Sequence, residues 1–215
     1  MDTKLSFTTK IVKDLLSHNF SVLLYNKDNI DGYGGWFSTD IGEEEFVVAM
    51  KHHMSFEILL HEYCHFLQWK YDRRLWEKSN LTYDVLFDWI SFPSLKDSAD
   101  IKDCDYTNEQ LDQSLHDILE IEHDCEKRAI KLATNNPIED FDLDKYKRAV
   151  NAYLWSYHLN RELRQRPKNP IYTPRVLESM SNQFYSLDYY LDKNNLSEQC
   201  RLALLQEYEK DSSCP

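Results

Sequence analysis

The sequence predicts an α+β protein, with a small antiparallel N-terminal sheet packed on a central helix and a mostly helical C-terminal part. Three observations predict it. Short β-prone apolar segments recur at close spacing between residues 21 and 50. Three of the four glycines, Gly32, Gly34 and Gly35, fall in one stretch among them. Beyond residue 55 the apolar positions recur with helical period, and only 6 Pro interrupt 215 residues.

Each element has its own signal. Residues 4–19 place Leu5, Ile11, Leu15 and Leu16 among polar residues, as an amphipathic helix does. SVLLYN (21–26) reads as a strand, KDNIDGYGG as a turn, and WFST (36–39) and EEFVVAM (44–50) as two further strands. Hairpin or meander connections between such short neighbours predict antiparallel pairing. Ser55 is the candidate cap of a helix running to about Tyr71.

Helices are then expected over 81–92, 108–134 and 143–165, the last stopped by RPKNPIYTP, where three prolines exclude helix. The stretches 173–191 and 196–210 complete the helical part, with Pro174 suited to a first turn. Residues 93–107 form the most polar loop. No repeat and no Gly- or Ser-rich linker is present, so one domain over 1–215 is expected. Within it, 1–53 hold the first helix and the sheet, 54–135 the central helices with an insertion at about 72–108, and 136–215 the helical C-terminal part.

Composition excludes some function classes. The 37 acidic against 25 basic residues give a formal charge of −12, which argues against a general nucleic-acid binder. No run approaches the roughly 18 apolar residues of a membrane span, and the first residues lack the apolar core of a secretory signal. Five cysteines in no CxxC pair argue against a disulfide framework. A cytoplasmic protein without membrane or nucleic-acid partners is expected.

The chemistry is carried by LLHEYCHFLQW (59–69), where two histidines and a glutamate interrupt an apolar helix. A helix places His61 and His65 on one face, one turn apart, as two ligands of a tetrahedral zinc require. Glu62 lies about 100° round the helix. From there it can take a proton from a zinc-bound water, whose pKa the metal lowers. This is the HExxH signature of zinc peptidases. The alternative is a helix whose histidines merely hydrogen-bond their neighbours.

Zinc needs a third protein ligand. The metzincin pattern would need Gly and His where Gln68 and Tyr71 stand, so it is excluded. Gluzincins take a glutamate from a later helix, and EIEHDCEKRAIKLA (120–133) offers Glu122 and Glu126, one turn apart. Glu126 is the first candidate, within ExxAxxxA and beside Cys125 and Ile130. Glu122 is the second, or else an outer partner orienting a histidine. His116, His123 and Asp88 are weaker candidates. In NAYLWSYHLNR (151–161), Tyr157 and His158 are candidates to stabilise the oxyanion of a scissile carbonyl.

HEYCH, the glutamate of CEKRA and the small sheet ahead of the helix resemble the compact ImmA/IrrE-type metallopeptidases and related phage-encoded metallopeptidases. The resemblance covers about 20–135. It implies zinc held by His61, His65 and Glu126, with Glu62 as general base. The 61 positions from His65 to Glu126 exceed the spacing of compact members. The expected function is a cytoplasmic, gluzincin-type zinc hydrolase cleaving a peptide bond in a protein or peptide substrate. An extended peptide would add to an edge strand at Trp36–Thr39. The alternatives are a non-catalytic zinc-binding interaction module on the same fold and a hydrolase of a non-peptide amide.

Overall fold

The computed structural model describes residues 3–30, 32–40, 43–95 and 106–209. The elements run α1 (Thr3–Ser17), β1 (Ser21–Tyr25), β2 (Gly35–Asp40), β3 (Glu43–Ala49), α2 (Ser55–Tyr71), α3 (Arg73–Leu95) and α4 (Asn108–Asn135). Then follow α5 (Leu143–Leu163), α6 (Pro174–Ser179), α7 (Leu187–Leu191), a 3-10 turn (Lys193–Asn195) and α8 (Glu198–Leu205). The α+β class expected from the sequence is what the structure has. The chain divides into two compact units, one of Met1–Arg73 with Cys125–Phe141, the other of Arg74–Asp124 with Asp142–Pro215.

The first unit contains the sheet. Its order is β1-β3-β2, and it is mixed, which corrects the expected all-antiparallel pairing. β2 and β3 form the expected hairpin, with Gly35 opposite Val48 and Asp40 opposite Glu43. β1 instead pairs parallel with β3, from Ser21 opposite Glu45 to Tyr25 opposite Ala49. The physical reason is length: residues 26–34 and β2 together give the chain enough reach for a crossover, which a tight hairpin after β1 would not. β2 is therefore an edge strand, and α2 packs against β2 and β3.

Local chemistry sets the junctions. α1 ends with Asn19 at φ 64°, while Phe20 N–H donates to Leu15 O and Asn19 N–H to Leu16 O. That is a Schellman closure, with Asn in the left-handed position. It delivers Phe20 onto Phe37, Phe66 and Trp69, at ring-centroid distances of 5.0, 5.5 and 4.9 Å. Ile11, Leu15, Phe46, Leu59 and Leu60 complete this core, all at 1% exposure or less.

Gly34 and Gly35 are explained by close packing on α2 and β3. A Cβ on Gly35 would lie 2.6 Å from Val47 O and 2.8 Å from Ile58 Cγ2, and one on Gly34 would collide with Ile58 Cδ1. Their absence of side chains lets the start of β2 lie against the helix. α2 begins at Ser55 itself, with Met54 in the cap position and no side-chain cap, so Ser55 is not the cap.

The second unit departs from expectation in two places. α3 is longer than 81–92 and includes Pro93 near its end. Proline has no N–H for the Trp89 carbonyl one turn back, and Arg164 Nε donates to that carbonyl at 3.1 Å instead. Of the polar segment 93–107, residues 96–105 lie outside the described ones. Thr107 and Gln110 start α4 as a capping box: Thr107 N–H donates to Gln110 Oε1 at 2.9 Å, and Gln110 N–H to Thr107 Oγ1 at 3.3 Å.

The stretch 173–191 is not one helix. α6 stops at Ser179 and α7 starts at Leu187. Side chains of α5 take the intervening carbonyls. Asn151 Nδ2 donates to Ser181 O at 2.8 Å and to Gln183 O at 3.0 Å, and Arg148 donates to Met180 O. Tyr190 OH closes the clamp on Asn151 Oδ1 at 2.7 Å. Among the described residues, no helix is long and apolar enough to cross a membrane.

Candidate metal centre

α2 carries Leu59, Leu60, Cys64 and Phe66 on its buried face, and the sheet and α1 hold it there. The HExxH residues ride on that rigid helix. His61 and His65 stand with ring centroids 4.6 Å apart and planes at 87°. Their Nε2 atoms face each other at 3.0 Å. Each Nδ1 has an oxygen partner: Glu126 Oε1 lies 2.9 Å from His61 Nδ1, and Gln68 Oε1 lies 2.8 Å from His65 Nδ1.

These contacts favour one tautomer of each ring. A carboxylate or an amide oxygen only accepts, so each Nδ1 is placed to donate. In that tautomer each Nε2 carries a lone pair, and the two lone pairs converge. Two facing lone pairs repel unless something positive lies between them. A divalent cation would do this with both rings neutral. Two nitrogens on a tetrahedral zinc at 2.0–2.1 Å are about 3.3 Å apart, close to the spacing found. The two histidines fit a divalent metal ion.

Glu126 is 4% exposed and approaches from α4 onto Nδ1 of His61, the side of the ring away from His65. In this position it holds the orientation of the ring. Cys125 was expected only to surround Glu126. It contacts His61 itself: Sγ donates to His61 O at 3.2 Å and lies 3.6 Å from Nδ1. One donor atom each from His61, His65 and Cys125 lies within 4.8 Å of the others. The thiol lies near Nδ1 of His61 and also reaches that residue's carbonyl. Glu62 is half-buried.

Gln68 escaped the sequence reading, which used it only to exclude the metzincins. The signal was there: a polar residue three positions after His65 on the same helical face. It is fully buried.

Glu122, Tyr157 and His158 belong to the second unit. Glu122 is 3% exposed, and Tyr157 OH donates to its Oε1 at 3.3 Å while meeting Tyr153 OH at 2.6 Å. Burial first, and the Glu122 charge second, push both phenols well above the ordinary tyrosine value. Tyr157 is thus a permanent donor. His158 Nε2 lies 2.7 Å from Tyr190 O, and burial lowers its pKa, so it is a neutral ring donating to a carbonyl. His123 Nε2 donates to Tyr185 O at 2.9 Å. Asp88 accepts from Tyr106 OH at 3.0 Å.

His116, Asp117 and Glu120 form a second cluster of metal-ligand types. Its positive charge is already supplied. Lys78 Nζ lies 2.8 Å from Asp117 Oδ1 and 2.5 Å from Glu120 Oε2, and Thr82 donates to Asp117 Oδ2 at 3.0 Å. This is an ion-pair hub between α3 and α4.

Comparison of the chain with protein-family models, with curated proteins and with solved structures found no match in any of the three.

Proposed function

We propose that this chain is a zinc-dependent metallopeptidase of gluzincin type that hydrolyses a peptide bond in a protein or peptide substrate. The observation that carries the reading is the convergence of the two Nε2 atoms at 3.0 Å, each ring held through Nδ1 by an oxygen, with Glu62 on the same helix. His61 and His65 would hold the metal, and Glu126 would orient His61. When bound, zinc would act as a Lewis acid on water and on the substrate carbonyl.

The chain's own residues do the rest. Glu62 takes a proton from the attacking water and passes it to the departing amine. β2, an edge strand packed on α2, offers backbone groups to which an extended peptide adds as a further strand.

Elemental mass spectrometry of the purified protein beside His65→Ala, with a protease assay on an unfolded protein substrate, tests the reading. Zinc at about one per chain in the wild type and lost in the variant supports it. No metal in either folded protein after reloading overturns it, and leaves the non-catalytic interaction module.

A further inference from the structure

We propose that Gln68 is a positioning residue for the metal, holding His65 in the tautomer and orientation that turn Nε2 toward His61. The inference rests on the zinc reading above and adds a residue to it. Gln68 lies three positions after His65 on α2, which puts the two side chains on neighbouring turns of one face. Its side chain is 0% exposed. A buried amide costs free energy that Leu or Met would not, unless its polar atoms are engaged. One engagement is with His65: Gln68 Oε1 lies 2.8 Å from Nδ1, placed to accept from it.

That contact decides what His65 can bind. The nitrogen left unprotonated in a neutral imidazole is set by the hydrogen bond the other one makes. With Nδ1 committed to Gln68, Nε2 is the lone pair, and it is the atom 3.0 Å from His61 Nε2. The arrangement repeats what Glu126 does for His61, with one difference. Glu126 brings a negative charge from another helix, whereas Gln68 is neutral and comes from the same helix. The two histidines are thereby oriented independently, and only one orienting group adds charge to the site.

The experiment compares Gln68→Met, which keeps volume and loses the acceptor, with Gln68→Glu, which keeps the acceptor. Zinc affinity is measured by chelator competition, with circular dichroism and Tm as controls of folding. Gln68→Met is expected to bind zinc about 10- to 100-fold more weakly at unchanged secondary structure, and Gln68→Glu to recover most of the wild-type affinity. Equal affinity in Gln68→Met and wild type overturns the role of Gln68 while leaving the zinc site intact. A wild type that takes no zinc overturns both.

A second measurement needs no variant. Nitrogen-15 shifts of the histidine rings in metal-free wild type are expected to show His65 protonated on Nδ1. Protonation on Nε2 overturns the proposal whatever the variants do.

Discussion

Nε2 of His61 stands 3.0 Å from Nε2 of His65, and the opposite nitrogen of each ring is held by an oxygen. Turning either ring away would break its contact with a buried oxygen. The pair is therefore a preorganised two-nitrogen donor, built on a helix whose other face is core. Such preorganisation reduces the ordering that metal binding would otherwise require.

Glu62→Gln separates binding from chemistry. The amide cannot take a proton, while both histidines stay in place. Zinc content is expected to match the wild type and peptide hydrolysis to fall by about 10²- to 10⁴-fold or more. A fully active Glu62→Gln protein would remove Glu62 from the mechanism.

Glu126→Gln tests the orienting carboxylate. Its contact with Nδ1 predicts a site that still fills with zinc at excess metal, with affinity lower by about 10- to 100-fold. Glu122→Gln, titrated in parallel, reads the other glutamate that the sequence nominates. Stoichiometric binding lost there and kept in Glu126→Gln makes Glu122 the third ligand. The reverse result makes Glu126 the ligand.

Gly35→Ala probes the approach of β2 to α2. The new Cβ would stand 2.6 Å from Val47 O and 2.8 Å from Ile58 Cγ2, and a backbone oxygen in a ladder cannot move aside. A loss of about 1–3 kcal/mol in denaturant unfolding is expected. An unchanged midpoint would mean that the strand has room to shift.

Asp117 gives the second unit a pH dependence of known sign. Burial would raise its pKa, but hydrogen bonds from Lys78, Thr82 and His116 hold it below the ordinary carboxylate value. The folded pKa lies below the unfolded one, so the stabilisation is fully present above about pH 4 and fades as pH falls through the folded value. Asp117→Asn is expected to lower Tm at pH 7, and the gap from wild type is expected to shrink below about pH 4. A gap constant across that range would assign the Asp117 contribution to packing instead of charge.

Much of the fold was legible because its signals are local. The apolar periods of α1, α4 and α5 and the β-prone runs of the sheet are written within single elements. The parallel pairing of β1 was not, because register and direction depend on the strand that arrives later. The break in 173–191 was hidden for the same reason: Asn151 and Arg148, on another helix, take carbonyls that a continuing helix would have used. Pro93 inside α3 is tolerated through Arg164, 75 positions from the carbonyl it satisfies.

The site divides along the same line. The sequence alone determined that His61 and His65 share a helix face with Glu62 beside them, because that follows from helical pitch. Which nitrogen of each ring faces the other, and that Glu126 reaches His61 from 65 positions away, only the tertiary structure decided. Side-chain spacing within a helix is set by backbone geometry, whereas a tautomer is set by whatever acceptor packing brings to the ring.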